Sequence, residues 1–494
     1  METTIKIGWY EESITPNKNL SMAGQFYERI SQGVETPITA TAFALECNGE
    51  QMVICSCDLT NIHRGFQDLV KENLKGKTDL PLDKIMLHAT HTHASHLYKI
   101  PEVLLRPAQD VLSRYASEDM LYKPLVTVDD SIMTPEESLN FLVEHISIAI
   151  IKAWENRKPA VYSCGFGRAA VGMNRRACYD DGTAQMWGDT NTPNFTHLEG
   201  GNDNGVEMLF TFDTEKNITG VILNIACPSQ IMEHRNVISS DYWGKVKFYL
   251  REKFGEDLFV LGLCAPAGDQ CPRDLIRWQN GETPVNDPNI KRPNYIERRS
   301  DGSMFDIKGT YRVGKRIANE VIAAYEEIED YFDNPEFVHI TQKMKLPLRR
   351  VTMQEYKSAV AEIERFVEKN NGKAFDFNDT AMMHIHSGTI LRYEYQQNHD
   401  LYDFEAHFIR LGDIAIATNP FELFLDYANQ IRARSLAKQT FLIQYCCDCG
   451  FYLPTKRAEE GSHYSAYVSS GLVGHEGGDL LVRETLEHIN GFFK

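Results

Sequence analysis

Short apolar runs alternate along the chain with longer amphipathic stretches. Before residue 270, six β-branched runs have the length and composition of buried strands: 41–47, 52–59, 84–90, 205–212, 220–227 and 258–265. Residues 135–157 have a helical spacing of apolar positions, and Pro135 followed by glutamates is typical of a helix start. The alternation predicts an α/β protein whose mixed β-sheet core is flanked by helices.

The second half of the chain continues this alternation. Residues 353–369 predict a helix, and residues 407–420 predict a β-hairpin that turns at a Gly-Asp pair. Residues 440–447, TFLIQYCC, predict a further strand. No repeat, low-complexity tract or linker interrupts the sequence. We therefore expect one domain over residues 1–494, with a lobe boundary near residue 335.

Composition and charge narrow the classes of function. The 494 residues are 43% apolar and carry a formal net charge of −18, which argues against nucleic acids and anionic membranes as partners. Residues 1–25 lack the basic start and apolar run of a signal sequence, and no apolar segment is long enough to span a membrane. We therefore expect a cytoplasmic protein.

The cysteines predict free thiols. There are 11 of them, an odd number, in a chain too long to need a disulfide framework. Residues 446–449, CCDC, are cysteine-dense enough to raise the question of metal binding. Because adjacent residues of a strand point to opposite faces, we expect these cysteines to be structural.

Four of the 16 histidines lie within residues 88–96, HATHTHASH. If the strand at 84–90 stays extended to residue 93, His91 and His93 point to the same face at its C-terminal end, where α/β sheets place their sites. Such a pair is a candidate for metal binding, and a satisfied role in the core fits the pattern equally well. The spacing does not identify the metal.

Other polar residues also stand where predicted strands end. Asp58, Cys227 and Asp269 each follow a buried run, and Glu422 begins the helix expected after residues 414–420. Each residue taken alone has an ordinary structural interpretation, as a helix cap or a core thiol. Four strand ends that meet at one rim predict a site at the C-terminal ends of the strands.

These residues belong to an ordered series of motifs that resembles the neutral/alkaline ceramidase family. The motifs are HTH at 91–93, MNRR at 173–176, NIACPSQ…ISSD at 224–241, AGDQCPR at 267–273, NPFELF at 419–424 and FYLPTKRAEEGSHY at 451–464. The opening residues, with ESITP and then MAGQFYERISQGVETPITATAFAL, are similar to that family's N-terminal signature, although Ser13 stands where an Asp is usual. The resemblance runs from about residue 5 to residue 490 and implies the family's N-terminal catalytic domain.

The resemblance implies a zinc-dependent amidase whose metal is held by two histidines, a glutamate and a tyrosine. His91, Glu422 and Tyr452 match three of these ligand positions. The family's second ligand histidine precedes the aspartate of its SD motif by fourteen positions, as Cys227 precedes Asp241. Cys227 is therefore assigned as the fourth ligand. A thiolate binds zinc at about 2.3 Å, but its charge raises the pKa of the water on the metal.

The resemblance also assigns catalytic and substrate-binding residues. Tyr464 matches the catalytic tyrosine, and His93 and Arg175 match residues that contact the reacting group and the substrate. The implied mechanism is attack of metal-activated water on a carbonyl, with His93 and Tyr464 donating to the developing oxyanion. We add Asp269 and Cys271 to the catalytic group. Cys271 replaces the hydroxyl residue of the family's GD-x-S-P motif.

The substrate is expected to differ from a membrane ceramide. Secreted members of the family carry a signal sequence and a C-terminal immunoglobulin-like domain, and neither is recognisable in this acidic chain. We expect a soluble, polar, sugar-like molecule instead. Asp58 is assigned to substrate binding, and four arginines near the motifs are candidates to bind an anionic or hydroxyl-rich ligand: Arg168, Arg175, Arg176 and Arg273.

Three functions remain open from the sequence. The first is hydrolysis of an amide-like bond with zinc as cofactor. The second is cleavage of a carbohydrate bond in the same pocket, with Asp58, Asp269 or Glu422 as acid and base at a separation of about 5 to 9 Å. The third is a non-catalytic descendant that binds a ligand, which the two cysteine substitutions permit. A minor alternative makes Cys227 or Cys271 a nucleophile.

Overall fold

The computed structural model describes residues 5–100, 107–190, 192–276, 282–284, 295–297 and 306–494. Within these residues the strands are β1 Ile5–Ser13, β2 Thr39–Cys47, β3 Glu50–Cys57, β4 Ile85–Ala89, β5 Lys158–Arg168, β6 Met173–Asn174, β7 Arg176–Tyr179, β8 Ala184–Met186, β9 Phe195–Leu198, β10 Gly205–Asp213, β11 Ile218–Ile225, β12 Phe259–Cys264, β13 Gln270–Cys271, β14 Glu282–Pro284, β15 Tyr295–Glu297, β16 Phe337–Pro347, β17 Leu401–Leu411, β18 Ile414–Thr418, β19 Phe421–Leu423, β20 Gln439–Ile443 and β21 Phe451–Leu453.

The helices of the described residues are α1 Arg64–Leu74, α2 Pro107–Leu112, α3 Pro135–Glu155, α4 Tyr242–Phe254, α5 Asp306–Glu326, α6 Met353–Asn370, α7 Phe377–Met382, α8 His384–Tyr395, α9 Leu425–Arg432, α10 Lys456–Gly461 and α11 His475–Gly491. Helix α3 begins as its sequence predicts. Thr134 accepts from the amide of Glu137, and the Glu137 carboxylate accepts from the amide of Thr134. None of the described helices is long and apolar enough to cross a membrane.

The largest sheet has eight strands in the order β12-β11-β10-β5-β1-β2-β3-β4. Its inner pairs are antiparallel, and each edge carries one parallel pair, β3 with β4 and β11 with β12. The two edges curl toward each other. Ser56 Oγ donates to the Gly262 carbonyl at 2.6 Å, and His88 Nε2 accepts from the Cys264 amide at 3.0 Å. The mixed α/β fold is confirmed, and the curling brings the ends of distant strands together.

The protein has four layers. Helices α1 and α3 cover one half of the large sheet and α4 and α5 cover the other half. A four-stranded sheet, in the order β16-β17-β18-β20, packs on the opposite face through an apolar core, and α9 and α11 cover its outer side. This second sheet begins at Phe337, close to the lobe boundary expected near residue 335. The two sheets share one core.

Two local predictions are wrong, and one condition is not met. Strand β4 ends at Ala89, so the chain does not stay extended to residue 93, because the backbone turns into the left-handed region at His91, with φ of 64°. Strand β20 ends at Ile443 instead of residue 447, because the following segment turns to hydrogen-bond with β4. Glu422 lies in β19 and does not begin a helix, since α9 starts at Leu425.

The adjacent sulfurs of Cys446 and Cys447 do not point apart, which corrects the prediction for the CCDC segment. Their Sγ atoms are 3.6 Å apart. The reason is the backbone, which is left-handed at Tyr445, with φ of 55°, and at Cys447, with φ of 64°. A chain with this conformation does not alternate its side chains between two faces as a strand does.

Candidate active site

His91 is fixed at the end of β4 with a defined tautomer. Its Nδ1 lies 2.6 Å from the Thr60 carbonyl oxygen, which can only accept, so Nδ1 carries the proton. The ring stacks on Tyr445 with centroids 4.1 Å apart. Burial lowers the pKa of His91 well below its ordinary value, and His93 lowers it further. His91 is therefore neutral, with an unprotonated Nε2.

The tautomer of His93 follows from its neighbours. Arg175 Nη1 donates to Gln230 Oε1 at 3.0 Å, which leaves the Gln230 amide nitrogen facing His93 Nε2 at 3.0 Å. Because that amide nitrogen is a donor, His93 Nε2 accepts and the ring proton lies on Nδ1. Nδ1 faces Glu233 Oε2 at 3.3 Å.

The backbone near His93 requires a glycine. Gly24, in the MAGQ stretch, has φ of +95°, and a Cβ atom there would lie 2.5 Å from His93 Cγ. No other residue type avoids both the contact and the backbone strain. The opening signature of the sequence thus packs directly against the candidate site.

The Nε2 atoms of His91 and His93 are 3.1 Å apart. With the tautomers assigned above, neither of these two atoms carries a proton, and both bear partial negative charge. Two such nitrogens repel unless a proton or a cation lies beside them. The site is therefore built to attract positive charge at this point.

Glu422 and Tyr452 are neighbours across a two-stranded parallel sheet. Strands β19 and β21 pair with Glu422 opposite Tyr452. Glu422 Oε2 is buried without a hydrogen-bond partner and lies 3.8 Å from His91 Nε2. Burial raises the pKa of Glu422 to about 7, and Tyr452 and Arg175 partly offset this.

Tyr464 and Arg175 complete the group around Tyr452. The hydroxyl of Tyr452 lies 3.2 Å from that of Tyr464 and accepts from Arg175 Nη2 at 3.3 Å. Burial raises the pKa of Tyr464, so its hydroxyl keeps its proton at neutral pH. The "strand-end cluster" is defined here as the six residues that these contacts join: His91, His93, Arg175, Glu422, Tyr452 and Tyr464.

The other candidate arginines do not share the position of Arg175. Arg176 is fully buried, pairs with Glu199 at 2.8 Å, and donates to carbonyl oxygens of the segment that carries Tyr464. It supports the site and does not line it. Arg168 is exposed and lies over the ring of Phe166, while Arg273 lies over the ring of Trp187 with Arg175.

Cys227 is not brought together with His91 and Glu422. Its Sγ donates to the Val171 carbonyl at 3.4 Å, and the three ligand atoms do not lie within 4.8 Å of one another. Burial raises the pKa of Cys227 well above its ordinary value, which also opposes a nucleophilic role. Its assignment as a zinc ligand stays a prediction.

Cys271, in β13, lies near the strand-end cluster as a protonated thiol. It donates to the Arg273 carbonyl at 3.1 Å, and burial raises its pKa to about 12, which nearby Arg175 partly offsets. A thiol in this state is a weak hydrogen-bond donor and a poor nucleophile.

Asp58 and Asp269 hold the fold around the site. Asp58 accepts from Thr39 and Thr90, which joins the ends of β2, β3 and β4. Asp269 accepts from the Leu425 amide at 2.9 Å and from Asn174 at 2.9 Å. Both oxygens of each carboxylate accept hydrogen bonds from the protein itself, which disfavours the two residues as free catalytic acids or bases.

Several residues of the site escaped the sequence analysis. Gln230 and Glu233 set the tautomer of His93, and Tyr445 stacks on His91. Trp187 lies under Arg175 with a left-handed backbone, φ 58°, a conformation that concentrates at functional sites. Only Gln230 had a usable signal, since it stands three residues after Cys227 within a quoted motif.

The donors present fit a metal ion. His91 offers an unprotonated Nε2, Glu422 an unpartnered buried oxygen and Tyr452 a phenol oxygen. Two ligand atoms on one tetrahedral zinc are roughly 3.4 Å apart, close to the 3.8 Å between His91 and Glu422. Cys227 can join them only by leaving Val171.

The fold and these side chains define a mixed α/β protein with a buried histidine, glutamate and tyrosine site at strand ends. The fold resembles that of neutral ceramidase from Pseudomonas aeruginosa, with a TM-score of 0.66, 16% identity, and coverage of 100% of this chain and 75% of that chain. A ceramidase solved in complex with C2 gives a TM-score of 0.66 at 15% identity, covering 99% and 75%. No protein-family profile and no curated protein matches the sequence.

Proposed function

We propose that the protein is a metal-dependent hydrolase that cleaves an amide-like bond of a small, polar, soluble substrate. The likeness in fold to ceramidases favours a hydrolase. The observation that carries the proposal is the meeting of two unprotonated imidazole nitrogens, 3.1 Å apart, beside the unpartnered oxygen of Glu422. A cation bound there would remove the repulsion between the two nitrogens.

His91, Glu422 and Tyr452 are the residues that would hold the metal, and we take zinc as its identity from their nitrogen and oxygen donors. When bound, zinc would polarise a carbonyl oxygen and lower the pKa of a water molecule. Arg175 would keep Tyr452 in place through its 3.3 Å hydrogen bond and would offset the negative charge of Glu422.

The remaining residues of the strand-end cluster handle protons. Tyr464 keeps its hydroxyl proton at neutral pH and would donate it in a hydrogen bond to the developing oxyanion. His93 was expected from the sequence to donate as well. Its assigned tautomer instead presents an acceptor, so we propose that Nε2 takes a proton from the attacking water while Glu233 stabilises the charged ring.

Carbohydrate cleavage is the alternative within the same pocket. It needs two free carboxyl groups, and two of the three candidates, Asp58 and Asp269, are engaged by protein donors. Only Glu422 has a free oxygen. The amide-like substrate class is therefore the better supported one.

The test is turnover by zinc-loaded protein on two panels of soluble chromogenic substrates, one N-acyl and one glycosidic. We expect activity on the N-acyl panel, and its loss in Glu422→Gln. Glu476→Gln, at an exposed position of α11, is the matched control and should behave like the wild type. Activity confined to the glycosidic panel would overturn the substrate class, and binding without turnover in both panels would point to a non-catalytic descendant.

A further inference from the structure

A second group of metal-binding side chains lies away from the strand-end cluster. Glu405 and His407 stand two residues apart on β17, and Cys447 follows β20. One potential ligand atom from each lies within 4.8 Å of the others. Among the described residues, no other set of three or more histidine, cysteine, aspartate or glutamate side chains meets that distance. These three residues are called the thiol cluster below.

The sequence and the backbone explain why the three side chains meet. Residues two apart on a strand share a face, so Glu405 and His407 point to the same side of β17. Cys447 is turned toward them by its left-handed backbone, and its amide donates to the Leu87 carbonyl at 2.9 Å. His407 and Cys447 are fully or almost fully buried, and Glu405 is partly exposed, which leaves an entry path for an ion.

The hydrogen bonds of His407 show that its imidazole carries a positive charge. His339 Nδ1 faces the Gln51 carbonyl at 2.9 Å, so His339 Nε2 is an acceptor and His407 Nδ1 donates to it at 2.9 Å. His407 Nε2 faces Glu405 Oε1 at 3.0 Å and must also carry a proton. His407 therefore holds two protons although it is completely buried.

Two anionic neighbours make this charged histidine tolerable. Burial lowers the pKa of His407, but Cys447 and Glu405 raise it above its ordinary value. Conversely, burial raises the pKa of Cys447, and hydrogen bonding from Cys446 with the charge of His407 lowers it to about 6. The cluster combines a thiolate-forming sulfur, an imidazole and a carboxylate around one buried positive charge.

We propose that Glu405, His407 and Cys447 form a second zinc site that is distinct from the strand-end cluster. Sulfur, imidazole nitrogen and carboxylate oxygen are the ligand types that zinc takes in proteins, and three protein ligands leave one position of a tetrahedral ion for a water molecule. The metal replaces the His407 Nε2 proton and any proton on Cys447, which leave to solvent as the ion binds.

The position of the site explains what the metal does. Glu405 and His407 belong to the four-stranded sheet, whereas Cys447 is hydrogen-bonded to β4 of the eight-stranded sheet. An ion held by all three residues joins the two sheets. Tyr445, two residues before Cys447, stacks on His91, so the same ion steadies one wall of the strand-end cluster.

The experiment uses full-length protein freed of metal by a chelator and titrated with Co²⁺ as a spectroscopic substitute for Zn²⁺. Cobalt bound by a thiolate gives a sulfur-to-metal charge-transfer band, which oxygen and nitrogen ligands do not give. We expect one equivalent of Co²⁺ to produce this band in the wild type and in Glu422→Gln. The second protein separates the site from the proposed catalytic one, because Glu422 is a ligand only there.

Variants then identify the ligands. Cys447→Ser is expected to lose the band and one equivalent of bound zinc, while Cys446→Ser, the matched control, should keep both. If Cys446→Ser also loses the band, the metal lies on the adjacent pair of thiols and the assigned ligand set is overturned. A wild type without the band, or Cys447→Ser with an unchanged band, overturns the site itself.

Lys71 provides a test that does not depend on destroying a ligand. Its Nζ lies 2.8 and 2.9 Å from the two oxygens of Glu405 and competes with a metal for them. Lys71→Met should therefore bind Zn²⁺ more tightly than the wild type, by at least several-fold in a competition titration against a chromogenic chelator. Unchanged or weaker binding would contradict Glu405 as a ligand.

Discussion

The strand-end cluster and the thiol cluster are buried alike, yet they hold their histidines in opposite protonation states. Burial lowers the pKa of His91, and the nearby His93 and Arg175 lower it further. Burial also lowers the pKa of His407, but Cys447 and Glu405 reverse the shift. Burial disfavours the charged form of a histidine. The charge of the neighbouring groups then decides whether that form is stable at neutral pH.

Arg176 is a buried support of the strand-end cluster, and removing it should give the largest effect. Arg176→Ala leaves Glu199 as an unpaired buried carboxylate and frees carbonyl oxygens of residues 458–464. We expect a loss of about 3 to 5 kcal/mol in the free energy of unfolding, measured by urea titration.

The control for this prediction is Arg168→Ala, which removes an exposed arginine and should change stability by less than about 0.5 kcal/mol. The cobalt band of the thiol cluster should persist in folded Arg176→Ala, since no contact of Arg176 reaches Glu405, His407 or Cys447. Equal stability of the two arginine variants would mean that Arg176 is not a support.

The next largest effect is on turnover, and it distinguishes the strand-end cluster from the thiol cluster. Tyr464→Phe removes one donor to the oxyanion, and we expect kcat to fall by roughly 10² to 10³ with metal content unchanged. His407→Gln should lower kcat only a few-fold, because the thiol cluster acts on the site indirectly, through Tyr445 and the backbone of β4. Steady-state kinetics on an N-acyl substrate measures both. A Tyr464→Phe enzyme with wild-type turnover would reduce Tyr464 to a packing role.

The opposite charge environments predict opposite pH dependences of stability in chelator-treated protein. Burial raises the pKa of Glu422 from 4.5 to about 7. The stability that its neutral form contributes is complete below pH 4.5 and is lost as pH rises through 7, up to about 3 kcal/mol. Glu405 behaves in reverse. Although burial raises its pKa, His407 and Lys71 lower it to about 2, so its stabilisation is present above 4.5 and is lost toward pH 2.

Urea midpoints of Glu422→Gln and Glu405→Gln between about pH 2 and 8, a range that covers both titrations, measure this difference. Relative to the wild type, Glu422→Gln should gain stability as pH rises. Glu405→Gln should be least harmful at the acidic end. Parallel profiles for the three proteins would show that neither carboxyl group titrates as its contacts indicate.

The strands could be predicted because a buried strand is a continuous apolar, β-branched stretch of sequence. The run at 52–59 became Glu50–Cys57 and the run at 205–212 became Gly205–Asp213, since a continuous β-branched stretch has few alternatives to a buried strand. The Gly-Asp hairpin turn was correct for the same local reason: Gly412 has φ of 58° there.

The clusters could not be predicted in the same way, because tertiary hydrogen bonds determine the backbone conformation of their residues. His91 and Cys447 adopt left-handed conformations that no neighbouring residue dictates, and each brings its side chain to partners distant in sequence. The motif order did indicate that His91, Glu422 and Tyr452 share a site. It did not reveal Gln230, whose role depends on the orientation that Arg175 gives its amide.

The smallest predicted effect distinguishes two buried cysteines. Cys227 Sγ donates to a carbonyl oxygen and lies apart from His91 and Glu422, whereas Cys447 belongs to a cluster of ligand atoms. Cys227→Ser keeps a donor for Val171 and should cost only about 1 kcal/mol of stability, with zinc content and kcat unchanged. Metal analysis by mass spectrometry, beside Cys447→Ser, measures the contrast.

The two possible outcomes for Cys227 have different meanings. If zinc content stays the same, the thiol fills a core position, and His91, Glu422 and Tyr452 are sufficient as protein ligands. If Cys227→Ser loses the catalytic zinc while Cys227→His retains it, the thiol moves from Val171 to the metal on binding. The imidazole would then replace it at a bond length shorter by about 0.2 to 0.3 Å. The ligand set implied by the ceramidase resemblance would in that case hold in full, and each of the two clusters would bind its metal through one thiolate.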